Sequence, residues 1–197
     1  MAKKIEKKEG NEMVIPALNI KYFDILIVGD SPLIVHAWSD KAKKMMLDKQ
    51  MKKATNGREA KDPFMDFVDS LYWLTDKPEK PTMDDVLSAK FGFPTIAFKA
   101  AAVDSGYQQG LLEKKTTARG AFHISGDFAE IEGIPTMRED MVRIGQGTAD
   151  IRYNSGAISA EQIVSLFNVA GFACGVGEWR PSKDGSFGTF HVGTINE

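Results

Sequence analysis

Residues 159–171, SAEQIVSLFNVAG, constrain this chain more than any other stretch, because only a helix satisfies them. Ser159 stands where an N-cap belongs and Gln162 comes at the third helical position, the spacing at which each side chain satisfies the other residue's backbone N–H. Ile163, Leu166, Phe167 and Ala170 recur on one face, so the helix must cover something apolar, and Gly171 reads as its end. Beyond Gly171 the pattern is no longer helical. FACGV reads as strand-like, GEWRPSKDG as a connection of permissive backbone, and SFGTFHV as a final strand.

The other end starts with strands. In ALNIKYFDILIVGDSPLIVHAW, residues Ile20, Tyr22, Asp24 and Leu26 alternate with Lys21, Phe23, Ile25 and Ile27, and GDSP at 29–32 is turn chemistry. Ser39 caps a helix, SDKAKKMMLDKQMKKAT, that stops near Asn56–Gly57. Its apolar positions form two partial stripes, Ala42/Met45/Met46 and Leu47/Met51/Ala54. One small sheet does not cover both, so one stripe faces a partner, a role that adaptable methionines suit.

Between these ends, DPFMDFVDSLYWL predicts a short helix or strand and DKPEKPTMDD a charged loop, together an insertion around 60–91. FGFPTIAF predicts a strand leading into a helix, KAAAVDSGYQQGLL, limited by Gly106 and Gly110. TARGAFHISGDFAEIEGIP alternates around Gly126 as a hairpin would, and MVRIGQGTADIRYN predicts a strand pair broken at Gly145 and Gly147. Strand, basic helix, strands, last helix, loop and strand make an α+β plan, an antiparallel sheet backed by two helices. Residues 1–13 are a charged tail and 14–197 a single domain.

Charge and cysteine usage narrow the function classes. The net charge is only −2, so the whole-molecule field gives no reason to expect a polyanion. Residues 40–61, however, hold eight cations against three acids, a local +5 that leaves −7 on the rest. Such a segment fits a solvated helix face, a polyanion site, or a surface that meets the acidic flank of a neighbouring subunit. The lone Cys174 makes no internal disulfide, and with no signal-like or membrane-length apolar run the expected setting is reducing and cytoplasmic, with no membrane partner.

Catalytic and cofactor signatures are weak. His36, His123 and His191 lie far apart without metal-ligand spacing, so no metal site and no catalytic group is assigned. GVGEWRPSKDG runs into Pro and a strand where a dinucleotide fingerprint needs a helix, and it has no GKS or GKT as a Walker-type phosphate-binding loop requires, so no nucleotide cofactor is expected. A glycine-rich connection can still lie against a ribose-phosphate chain. Gly175, Gly177 and Gly185 keep Cβ atoms out of the way, Arg180 and Lys183 supply cations, and Trp179 offers a ring for a base. The alternative is a hairpin with Trp179 in the core and Arg180 paired to Glu178 or Asp184.

The stretches SPLIVHAWSDKAKKMMLDKQMKKATNGREAKDP, FPTIAFKAAAV, RGAFHI, MREDMVRIGQGTADIRYN and GAISAEQIVSLFNVAGFACGVGEWRPSKDGSFGTFHV resemble a family of uncharacterised tailed-phage and prophage proteins, and the likeness covers most of the chain. It implies a protein of the bacterial host cytoplasm. That resemblance also implies a further stretch between TADIRY and RYN, which is absent here. The element order and the glycines at Gly175, Gly177, Gly185 and Gly188 also resemble the RAMP superfamily, RRM-like proteins of CRISPR effector backbones. That second resemblance implies a ferredoxin- or RRM-like antiparallel sheet with two main helices, here carrying the helical insertion; with the glycine loop and the basic segment the expectation is a non-enzymatic phage protein that coats single-stranded DNA or RNA as a homo-oligomer or filament, a replication or recombination accessory. Its expected contacts are Gly175, Gly177, Trp179, Arg180, Lys183 and Gly185, with Lys44, Lys99, Arg119 and Arg143 as further cations near predicted element ends. The rival expectation is a self-assembling scaffold whose basic helix docks on the next subunit's acidic body.

Overall fold

The computed structural model describes residues 18–52, 62–133, 135–136, 141–143 and 146–194; side chains at 40, 41, 136, 141–143 and 146 are outside the description. The charged tail 1–13, Gly145 and the Arg143 side chain therefore lie outside the described residues, as do Asn56 and Gly57, but the basic helix expected to reach them already ends at Gln50, where Met51 is its C-cap and Lys52 turns left-handed at φ +52°.

In chain order the elements are β1 (Ile20–Gly29), β2 (Pro32–Ile34), α1 (Asp40–Gln50), α2 (Pro63–Ser70), α3 (Met83–Ser88), β3 (Phe91–Pro94), α4 (Thr95–Gln108), α5 (Lys115–Ala121), β4 (Phe122–Ile124), β5 (Phe128–Ile131), β6 (Pro135–Thr136), β7 (Met141–Arg143), β8 (Gln146–Asn154), α6 (Ala160–Ala173) and β9 (Phe190–Gly193). The principal sheet runs β4-β8-β1-β9, every neighbouring pair antiparallel. With α4 before β4 and α6 before β9, the path through it is β-α-β-β-α-β, a ferredoxin-like α+β arrangement. β1 and β8 pair over nine residues, from Ile20 opposite Asn154 to Val28 opposite Gln146. β8 runs unbroken through Asp150–Asn154, the place where the phage resemblance implies a further stretch.

Helices cover one face of this sheet. The even alternation of β1 turns Phe23, Ile25 and Ile27 toward them, and Ile25, Ile27, Ile151, Phe122 and Phe190 join Ile163, Leu166, Phe167 and Ala170 of α6 in the core. A fully buried side chain of this size contributes about 1.5–3 kcal/mol, so the α6 stripe accounts for a large share of the fold's stability. An edge-to-face relay, Tyr72–Phe93–Phe98–Phe190, ties the segment before α4 to the last strand with centroids 5.9, 5.9 and 5.4 Å apart.

Several expectations give way to tertiary packing. The helix that backs the sheet beside α6 is α4; the basic α1 stands outside the core, and every described side chain along it is exposed or only partly buried. Within 60–91 the expected loop holds α3, closed by a capping box between Thr82 and Asp85. α4 starts at Thr95 and runs through Gly106, whose missing side chain leaves room for Leu166 of α6. The expected hairpin around Gly126 does not form: TARGA belongs to α5, β4 pairs with β8, and β5 pairs with β3. Its two halves diverge because Ser125 N–H donates to the Asp150 carbonyl while Thr95 Oγ1 donates to the Gly126 carbonyl at 2.6 Å, sending the chain to different sheets. β7 and β8 are likewise unpaired with each other, β7 lying with β2 and β6, and Gly147 sits inside β8 where the Glu130 carbonyl passes. Finally, Gly171 does not end α6, and FACGV is not a strand; the helix continues to Ala173 and Cys174 caps it.

Candidate nucleic-acid interface

The glycine connection is a clamp on β2. Glu178 N–H donates to Ile34 O and Gly188 N–H to Pro32 O, while Val176 N–H donates to Gly188 O. Gly188 has φ +65°, and a Cβ there would fall inside the Val176 carbonyl; at Gly185 it would fall inside the Trp179 carbonyl. The amides of Gly175 and Gly185 are also taken up internally, by Ala170 O and Arg180 O. The bareness of the loop thus serves its own packing. Arg180 is folded back, its Nη1 donating to Gly177 O at 2.8 Å and its Nε to Ser182 Oγ at 2.9 Å, so it pairs with neither Glu178 nor Asp184. Glu178 instead meets His36 Nδ1 at 3.0 Å.

Outward, the loop presents its ring. Trp179 is 65% exposed and holds φ +50°, a left-handed conformation that costs a non-glycine residue about 1–2 kcal/mol and persists because the surrounding hydrogen bonds fix it. Lys183 ends the 3-10 turn Pro181–Lys183 beside it and is exposed.

A second group of side chains gathers on the face of the sheet turned away from α4 and α6. Register places His123 of β4 opposite Arg152 of β8, and Arg152 opposite Tyr22 of β1, a row across three strands. They line a cleft of about 380 Å³ with Leu18, Ile20 and Asn154 and with Gly120 and Ala121 at the end of α5. Tyr22 is 71% exposed, its ring open to solvent. Lys99 of α4 reaches the same strand edge: its Nζ donates to Arg119 O at 2.8 Å and approaches His123 Nδ1 at 3.3 Å. An ammonium has only donors, so Nδ1 accepts, and the neutral imidazole carries its proton on Nε2. Burial and the nearby Arg119 lower the Lys99 pKa, and burial with Lys99 and Arg152 lowers that of His123. In both groups burial is the larger cause and the neighbouring cations the smaller, and each disfavours the charged form.

The neighbouring row of the same face is acidic. Asp24 lies opposite Asp150, and a hydrogen bond between the two carboxyls, with some burial and their mutual repulsion, raises the Asp24 pKa.

Of the residues expected to act together, Lys99 and Arg119 meet at the β4 edge, and Trp179, Arg180 and Lys183 share the loop. Lys44 lies on α1 and Arg143 on β7, outside the principal sheet. Sequence alone does not reveal Tyr22, His123 and Arg152 as a unit, since alternation places each on a strand face but only the β1–β8–β4 register aligns them. The histidines take separate neighbours, His191 meeting Asp30 at 2.7 Å, and among the described residues no three His, Cys, Asp or Glu side chains gather as metal ligands. Among the described residues no helix is long and apolar enough to cross a membrane. No family model, no curated protein and no solved structure matches the chain.

Proposed function

We propose that the protein binds single-stranded nucleic acid, DNA or RNA, without catalysing its cleavage, along the face of its principal sheet turned away from α4 and α6. The observation that carries this reading is the row Tyr22–Arg152–His123 with Lys99 behind it, an exposed ring beside a guanidinium and an imidazole N–H on a partly apolar cleft. A base stacks on the ring at about 1–3 kcal/mol, and the adjoining phosphate meets cations whose own charges are partly desolvated. Single strands suit this arrangement because their bases are free to splay onto a sheet. The loop contributes through Trp179 and Lys183, since the amides of Gly175, Gly185 and Gly188 are already donated within the fold. The setting implied by the phage resemblance, the cytoplasm of an infected bacterium, belongs to the same proposal.

Fluorescence anisotropy with labelled single-stranded DNA, single-stranded RNA and duplex tests it. Tyr22→Ala and Arg152→Ala each weaken single-strand binding about tenfold or more, as loss of a stacked base or of a charge-assisted contact requires. Unchanged affinity in both variants, with circular dichroism confirming the fold, removes the sheet face as the site; loss only in Trp179→Ala relocates it to the loop.

A further inference from the structure

The helix α1 leaves a combination that a monomer in water does not explain. Met45, Met46, Leu47 and Met51 are all exposed, with Met45 62% and Met51 64% accessible. Lys44, Lys49 and Lys52 lie among them, and their ammonium groups have no ion pair or hydrogen-bond partner among the described residues. The same chain carries the complementary surface. Residues 62–89 hold seven acids against two lysines, and the side chains of Asp66, Asp76, Glu79 and Asp84 have no partner among the described residues. Beside them Leu74, Met83 and Leu87 are exposed, the last at 57%.

We infer that α1 of one molecule docks on the acidic α2–α3 segment of a second copy. Charge complementarity within one sequence points there: exposed methionines with the cations Lys44, Lys49 and Lys52 on one surface, and exposed Leu74, Met83 and Leu87 with the acids Asp66, Asp76, Glu79 and Asp84 on the other, have no counterpart among the described residues. Because the two surfaces differ, the contact is heterologous, and each added copy leaves a free α1 at one end and a free acidic segment at the other, so growth is head to tail. An eleven-residue helix is only about 16 Å long, so one such contact falls at the small end of specific interfaces and gives micromolar, salt-sensitive association. This assembly is independent of nucleic-acid binding, since it requires the protein alone.

Sedimentation velocity on the full chain, free of nucleic acid, decides it. At low salt the weight-average sedimentation coefficient rises with concentration across the micromolar range and falls back to the monomer value at high salt. Lys49→Glu with Lys52→Glu, and separately Asp76→Lys with Glu79→Lys and Asp84→Lys, each weaken self-association at least tenfold. Placing both sets of reversals in one chain restores it, which general surface damage does not do. A wild-type chain that stays monomeric at high micromolar concentration, or reversals that leave association unchanged, overturns the inference. Oligonucleotide binding measured on the Arg152→Ala chain reports separately, so either reading can fail without the other.

Discussion

Two carboxylates placed opposite each other on neighbouring strands repel, yet Asp24 and Asp150 sit so on the face proposed to meet a polyanion. Their hydrogen bond holds a proton on Asp24 to higher pH than an isolated carboxyl would. The linkage has one sign. Below the ordinary carboxylate range both folded and unfolded chains are protonated there; as pH rises, the unfolded chain releases its proton first, so this pair's contribution to stability is present in acid and lost through the raised folded pKa. Asp24→Asn keeps a hydrogen bond to Asp150 and removes the repulsion. Its melting temperature matches the wild type in acid and exceeds it at pH 7, and single-strand affinity at pH 7 rises because a negative charge leaves the face. Thermal melts across pH check the first statement and anisotropy the second; a variant less stable than wild type at neutral pH refutes the account of the pair.

At the scale of elements, glycine shows where sequence legibility ends. The Ser159–Gln162 capping box, the Ser39 cap and the alternation of β1 can be read locally because their partners lie within a few residues. Gly171 cannot: coming after an apolar helical face it reads as a stop, and only Phe190, nineteen positions later and carried alongside α6 by β9, shows that the residue serves close approach. The divergence at Gly126 has the same origin, with each half choosing a strand distant in sequence. So does the site, where Lys99 and Arg119 are visible as isolated cations while their meeting with His123 depends on how α4 and α5 cross the sheet edge. Substitution separates the two kinds of glycine. In Gly171→Ala the new methyl collides with the Phe190 carbonyl, pushing β9 off α6 at a cost of about 3 kcal/mol, which lowers Tm by about 6–12 °C. Gly120, in α5 with open space around its Cβ position, gains up to about 1 kcal/mol as alanine. Ser159→Ala falls between in size, a loss of about 1 kcal/mol from an uncapped α6. Denaturant titrations of the three variants order them, and an unperturbed Gly171→Ala would mean that α6 and β9 are not in backbone contact.

For the whole molecule, the decisive quantity is how unevenly a small net charge is spread. A chain at −2 does not draw nucleic acid in by its overall field, so any affinity must come from a few local cations and from stacking. On the proposed face and at its β4 edge those cations are Arg152, Lys99 and Arg119, and one of them is already committed, since Arg119 lies 3.9 Å from Asp104. Arg152 and Lys99 with Lys183 of the loop make three phosphate contacts, which on a single strand predict a slope of log K against log salt of about −2, at the shallow end of what strongly basic nucleic-acid-binding proteins show. Arg152→Ala reduces its magnitude by about 0.7, whereas Tyr22→Ala lowers affinity without changing it, because stacking releases no counterion. A salt series on the two variants separates the charge from the ring. A slope steeper than about −5 would require more cations than the sheet face holds and would transfer the interface to α1, whose lysines would then serve the strand and not a second copy of the chain.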